Sequence, residues 1–487
     1  IMLSTALINI YGKCGALKIA EQVFYKLPNQ KIVCWNALIV GYVEQGKGKK
    51  ALNSFERRIR EGIEPIAIAY ISGLKASCSI GSLEKSKQIH ECISKSNILE
   101  TDIALGNALV DMYAKCGALT ISQALFDELP IRDNVVWTIL IAGYAENGHG
   151  FEALTFFELM QVEGIYADAV TVICALKVCQ TMSATEKGIE LHADIDKKGL
   201  WKYDFVGNTL LNMYAKFASL AELRTLFIKL PAKDLVSWNI LIAGCTKHED
   251  REEALACFKC MENAGLTPDT VTYVSILKVC GIIGAIEKSH GFHAEITEKG
   301  LLERDVILAN SVIDMYVKCG LTRVAHTMLN KLPYQDIIAW NSIMKGYVQC
   351  GEIENVFNIY TTICGKGIMP DAVTFIIILS GCSRNCLYAE SRSYFEAMNE
   401  DYGILPMLDH HSCMINVLGH MGQLEAAVKM ISEIKVHANA IVWHSLLGKC
   451  RSWGNIQFGR HAFKQALYLD KKDSAAYVMM SQIYGDA

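Results

Sequence analysis

The chain has 487 residues, 51% of them hydrophobic and 20% charged, a balance that excludes a disordered or coiled-coil polypeptide. Its net charge of −4 gives no global basic footprint, so a nucleic-acid partner would have to be held by local charge on one surface. The longest purely apolar runs, such as Phe375 to Leu379, are far short of a bilayer span, so no membrane partner is expected.

In chain order, residues 1–102 set a pattern that the rest of the chain repeats. Tyr11, Pro28, Trp35 and His90 return as Tyr113, Pro130, Trp137 and His192 in 103–203, and as Tyr214, Pro231, Trp238 and His293 in 204–305. Tyr316, Pro333 and Trp340 carry the pattern through 306–407. The tryptophan steps are 102, 101 and 102 residues, with 103 more to Trp443. A chain with such a period over its whole length is an array rather than a set of unrelated domains. Each period divides into three units, for example 103–133, 134–168 and 169–203; a further short unit, 408–439, and a distinct segment, 440–487, close the sequence.

Inside a unit the apolar spacing is helical with a central break. Leu109, Met112 and Tyr113 precede Lys115-Cys116-Gly117, and Ala124, Leu125 and Phe126 resume the pattern. All eight prolines fall at unit ends, as expected for a residue that removes a helical donor. These features predict an all-α protein, a right-handed α-solenoid of stacked helix–turn–helix repeats. Many of the eighteen cysteines recur at interior-facing repeat positions and are expected to be reduced, buried, small apolar residues. No secretory leader is evident in Ile1-Met2-Leu3-Ser4.

The units read Val236-Ser-Trp238-Asn239-Ile-Leu-Ile-Ala-Gly244, then Glu253-Ala-Leu255, Cys257-Phe258, Met261 and Ala264-Gly265-Leu-Thr-Pro268-Asp269. That pattern resembles the pentatricopeptide repeat (PPR) family over essentially the whole chain. Its cycle of short, standard and long units resembles the plant PLS subclass. Glu400-Asp-Tyr-Gly-Ile404, His411-Ser-Cys-Met414, Leu424-Glu-Ala426, Ile441-Val-Trp443 and Leu469-Asp470 resemble the last triplet and an E-type extension. In that family these precede the E+ and DYW regions of C-to-U RNA-editing factors, so the sequence is expected to be a fragment of a longer product.

The second, fifth, ninth and thirteenth residues of each first helix share a face, and the unit's last residue comes near it. Stacked units therefore build a ladder of side-chain pairs, whose known use is reading one RNA base per repeat. The fifth/last pairs are Asn107/Asp133, Thr138/Asp168, Asn208/Asp234, Asn239/Asp269, Asn310/Asp336, Asn341/Asp371 and Ser412/Asn439. The opening units are imperfect, with Thr5 opposite Lys31 and Asn36 opposite Ile66. Val33, Val135, Val236 and Ile338 are expected to pack on base faces, and Lys13, Lys115, Lys216 and Lys318 to contact phosphates. The long units carry Ile71, Ile173, Val274 and Ile376 at the fifth position and are expected to read little or nothing. The resemblance implies guanine at Thr138, pyrimidine at the Asn/Asp units and adenine at Ser412, giving Y-G-x-Y-Y-x-Y-Y-x-A from 5′ to 3′.

Helix capping alone accounts for many Asn and Asp residues, but does not require them to recur as pairs. His293-Ala-Glu295 and Cys257-Phe-Lys-Cys260 imitate a zinc-deaminase signature in reversed order, without its proline. His410, His411, Cys413 and His420 sit on a repeat helix whose pattern explains them. The chain is thus expected to hold no metal, cofactor or catalytic centre. The expected partner is single-stranded organellar RNA, mitochondrial rather than chloroplast, with a DYW-type deaminase or editing accessory protein beside it. RNA processing, splicing or stabilisation without editing, and a peptide-binding scaffold, are the alternatives.

Overall fold

Unit 134–168 shows how the sequence starts and stops its helices. Asp133 is extended (ψ 171°) and its carboxylate accepts the Val136 N–H at 2.9 Å, capping helix Asn134–Glu146. That helix ends at Asn147 and Gly148, whose φ of 83° suits a residue without Cβ. The chain then turns into helix Gly150–Val162, and Asp168 caps the next, Ala169–Met182. The first helix buries Val136, Trp137, Leu140, Ile141 and Tyr144; the second buries Ala153, Phe157 and Met160. These faces close on one another, so a single pair leaves apolar surface that only a neighbouring pair covers.

The computed structural model describes residues 2–27, 31–96, 98–99, 102–217, 219–433 and 440–485. Among them are 29 α-helices, one 3-10 turn at Leu200–Lys202 and no strand. The seven described prolines all lie between helices, while Pro28 lies outside the described residues. No described helix is long and apolar enough to cross a membrane.

The chain forms two compact units, Ile1–Gly244 and Cys245–Ala487. In the first, helices Met2–Lys13, Ile32–Glu44, Ala67–Ser79, Ile103–Lys115, Asn134–Glu146, Ala169–Met182 and Asp204–Phe217 each pack on the next. In the second, the series is Thr270–Ile283, Val306–Lys318, Ile337–Cys350, Ala372–Arg384, Leu408–His420, Ala440–Ser452 and Ser474–Gly485. Both are α-solenoid stacks of helix pairs. Close approach is built in: a Cβ on Gly143 would lie 2.6 Å from Ala114 Cβ.

The periodic residues seen in the sequence meet one another across these layers. Trp35, Trp137 and Trp238 stand edge-on to Phe24, Phe126 and Phe227 with centroids 4.6, 4.7 and 4.6 Å apart. His90, His192 and His293 place Nδ1 3.0, 2.8 and 2.8 Å from the hydroxyls of Tyr113, Tyr214 and Tyr316. Burial holds these three imidazoles neutral to lower pH than a free histidine. The cysteines depart in part from expectation. All eighteen are free, but Cys14, Cys260, Cys350, Cys364 and Cys386 are exposed. Burial raises Cys179, Cys280, Cys413 and Cys450 to about 11 and Cys382 to about 12.

Candidate nucleic-acid interface

An Asp that caps a helix spends one carboxylate lone pair on a backbone N–H and keeps the rest. In this chain the remainder faces the fifth residue of the preceding first helix. Asn107 Nδ2 donates to both oxygens of Asp133, at 3.1 and 3.3 Å, and Asn208 Nδ2 to both of Asp234, at 3.2 and 3.0 Å. Asn310 and Asn341 donate to Asp336 and Asp371 at 2.8 and 3.0 Å. Each Asp also caps its own helix, receiving N–H groups from Val136, Ser237, Ala339 and Thr374. Capping and pairing are thus two uses of one group. An ionised carboxylate only accepts, so it turns the amide NH2 toward itself and leaves Oδ1 to another partner, which at Asn341 is the Thr374 hydroxyl at 2.9 Å. Asn107 Oδ1 is buried and has no hydrogen-bond partner among the described residues.

The Thr138/Asp168 pair is indirect. Thr138 Oγ1 bonds Asn134 O at 2.9 Å and lies 2.6 Å from Thr171 Oγ1, while Asp168 binds Thr171. Thr171 therefore bridges the Thr138/Asp168 pair. Asp269 caps helix Thr270–Ile283 through Thr272, and Asn239 occupies the fifth position of helix Leu235–Lys247 in the other compact unit. Ser412 Oγ donates to Leu408 O at 2.9 Å, and Asn439 lies outside the described residues.

Asn36, which lacks a terminal Asp, has a partner that the sequence did not suggest. Arg58, fully buried on the second helix of its unit, donates Nη1 to Asn36 Oδ1 at 2.5 Å and Nη2 to Glu64 O at 2.7 Å. Its Nε has no partner among the described residues, and burial lowers its pKa.

The proposed base-packing residues Val33, Val135, Val236 and Ile338 are 58, 55, 54 and 60% exposed. Their counterparts in the long units, Ile68, Val170, Val271 and Val373, are equally exposed, as are Phe205 and Ile307 in short units. Sequence reasoning passed over the long-unit residues because it discounted those units on their apolar fifth residues. An aliphatic row left in water is the signal that was available. Phe205 and Val236 line one shallow concavity with Asn208 and Asp234, so the polar pair has apolar walls.

Lys13 is exposed; Lys115 and Lys318 pair with Asp111 and Asp314 on their own helices at 2.8 and 2.6 Å, and Lys216 donates to Gln180 O. Exposed pairs of this kind are worth about 0–1 kcal/mol, so the lysines are readily released to a phosphate. The metal-like clusters disperse. Glu295 is held by Tyr273 and Lys299, His410 by Ala372 O and Met407 N, and His420 by Lys449. No group of three metal-binding side chains occurs among the described residues.

A PPR repeat model matches residues 4–32, 33–63, 135–165, 307–337, 373–402 and 410–437, and a PPR repeat family model matches 233–281 and 335–384. The chain is 31% identical over 481 residues to the chloroplastic pentatricopeptide repeat-containing protein At1g15510 of Arabidopsis thaliana. It is 32% identical over 504 residues to the mitochondrial At3g02330 of the same plant. Each match covers 99% of this chain but 55% and 56% of the relative, so the chain spans about half their length. A putative pentatricopeptide repeat-containing protein, Arabidopsis At3g15130, is 31% identical and 70% covered. Among solved structures, maize PPR10 superposes with a TM-score of 0.60 at 16% identity, over 99% of this chain and 80% of that one. PPR10 in complex with an 18-nt psaJ RNA element gives 0.54 at 15% identity, over 99% and 81%.

Proposed function

The chain belongs to the PPR repeat family, and on that premise we propose that it binds single-stranded organellar RNA sequence-specifically to select a cytidine for C-to-U editing. The observation that carries the reading is the recurring amide–carboxylate pair bordered by exposed aliphatic side chains. In this mechanism a base slides between the second residues of successive units. Its edge meets an Asn Oδ1 and N–H already aligned by Asp, an acceptor–donor pair complementary to uracil N3–H and a neighbouring carbonyl. Long units hold a base by its faces only. Lys115 and Lys318 exchange their carboxylates for phosphates, and Lys13 and Lys216 add two further contacts. PPR10, a fold neighbour, is described with an RNA element bound, which supports the same use of this stack.

The editing role rests on the E-type resemblance of residues 400–470. The chain would position the cytidine, and a DYW-type deaminase or accessory partner would complete the reaction. A mitochondrial site is preferred over a chloroplast one; relatives named for both organelles fit either. The test is a swap at one step. Thr138→Asn should move preference at the second nucleotide of Y-G-x-Y-Y-x-Y-Y-x-A from guanine to pyrimidine, by about 1–3 kcal/mol. Unchanged binding to the two probes sinks the assigned register. Loss of the chain in a plant should abolish conversion at a cytidine just downstream of the matching site. Altered splicing or abundance with editing intact would favour a processing role.

A further inference from the structure

The reading ladder does not end at Ser412. Segment 440–473, set apart in sequence as an extension, repeats the architecture of a reading unit. Helix Ala440–Ser452 packs on Leu408–His420 and on Ser474–Gly485. Its second residue, Ile441, is 65% exposed, and its fourth, Trp443, is buried edge-on to His461. Its fifth residue is His444, and Asp473, the residue before the next first helix, caps that helix through the Ala476 N–H. His444 Nε2 bonds Asp473 Oδ2 across the layer, in the place of the Asn–Asp bond of other units.

We propose that His444, Asp473 and Ile441 form a further base-binding step, which takes the nucleotide immediately 3′ of the one met by Ser412 and selects an amino-bearing base, adenine or cytosine, over uracil. The proposal rests on the RNA-reading function above and extends it by one position. The chemistry follows from the carboxylate. Asp473 only accepts, so in its neutral form His444 carries the proton on Nε2 and presents Nδ1 as a lone acceptor. Nδ1 has no hydrogen bond among the described residues, and the side chain is 27% exposed. Asn beside Asp offers an acceptor and a donor together; His444 offers the acceptor alone. The exocyclic amines of adenine and cytosine satisfy it. Uracil brings one N–H flanked by two carbonyl oxygens, which a lone pair backed by a carboxylate repels.

The test uses the full chain and four 11-mers that add A, C, G or U to the 3′ end of Y-G-x-Y-Y-x-Y-Y-x-A, at fixed salt. The A and C probes should bind about tenfold more tightly than U. His444→Ala should level the four affinities. His444→Asn should move the preference toward uracil by rebuilding an amide–carboxylate pair, which a merely structural role for His444 would not produce. Thr138→Asn serves as the internal control at the second nucleotide. Equal binding of all four probes, or a uracil preference in the unaltered chain, overturns the proposal. If the Thr138→Asn shift persists in that case, only this step falls and the reading function stands; if it is absent as well, both fall.

Discussion

Arg58 offers the most informative perturbation in the chain. Methionine, methionine and isoleucine occupy the same place in the other standard units (Met160, Met261 and Ile363), all fully buried. A guanidinium there costs several kcal/mol of desolvation, offset by its two charge-assisted bonds at about 1.5–3 kcal/mol each. Arg58→Met removes the burial cost together with both bonds. It leaves Glu64 O and Asn36 Oδ1 without their donor, but Asn36, 8% exposed, can turn its amide to water. One orphaned carbonyl at about 1–3 kcal/mol is the net expected loss, seen as a modest fall in thermal midpoint. Adding Ile66→Asp should recover about 1 kcal/mol, because Ile66 is the extended N-cap of helix Ala67–Ser79 and supplies no side-chain bond.

The effect on RNA should be a change of preference, separable from the effect on folding. Arg58 has donors only, so it fixes Asn36 with Oδ1 inward and NH2 outward, the reverse of Asn107, Asn208, Asn310 and Asn341. A donor-only face backed by a cation suits cytosine, whose N3 and O2 both accept, over uracil, whose N3 donates. The wild-type chain should therefore favour C over U at the nucleotide two places 5′ of the one met by Asn107. Arg58→Met with Ile66→Asp should reverse that order, a swing of about 1–3 kcal/mol in paired probes by fluorescence anisotropy. If the double variant folds, retains the Thr138→Asn response and yet leaves the C/U ratio unmoved, the amide-orientation argument is wrong.

Asn341→Ala should weaken binding of the matched RNA by about 1–3 kcal/mol while leaving probes altered at that nucleotide almost unaffected. Affinity for the matched RNA should fall linearly in log–log terms as salt rises, with a slope reduced by about one when Lys115 becomes Ala; an unchanged slope would remove that lysine from the phosphate contacts. Trp137→Ala should cost about 3–5 kcal/mol, and hydrogen exchange should show the loss beside helix Asn134–Glu146 with distant layers still protected. Stability should be full above pH 6.5 and decline as pH falls below it. Unfolded histidines protonate near 6.5, whereas His90, His192 and His293 do so only at lower pH in the fold. His293→Asn should shallow that slope in pH-dependent thermal melts.

Much of this is legible in the sequence alone. The tryptophan and proline periods give the stack, because each landmark does one repeated job, as Trp137 does in packing on Phe126. The Asn–Asp partnership was legible because both residues stand at fixed offsets from a helix start. Arg58 was not, since its partner lies 22 residues away on another helix and the residue breaks a row of Met and Ile. His444 escaped because histidine does not look like asparagine in a sequence, although beside a carboxylate it presents a similar acceptor. The bridging role of Thr171 and the exposed Val170 and Val271 were hidden by attention to the apolar fifth residues of their units.

The shared carboxylate constrains how such a protein changes its target. Asp133, Asp234, Asp336 and Asp371 each hold up the start of one helix while orienting an amide on the one before it. Altering that residue to retune a base preference also loosens the junction between two layers. The fifth position carries no such duty, so Asn-to-Thr exchanges there revise the recognised letter at little mechanical cost. Drift in target sequence should therefore run through amide and hydroxyl swaps, with the acidic hinge points changing last.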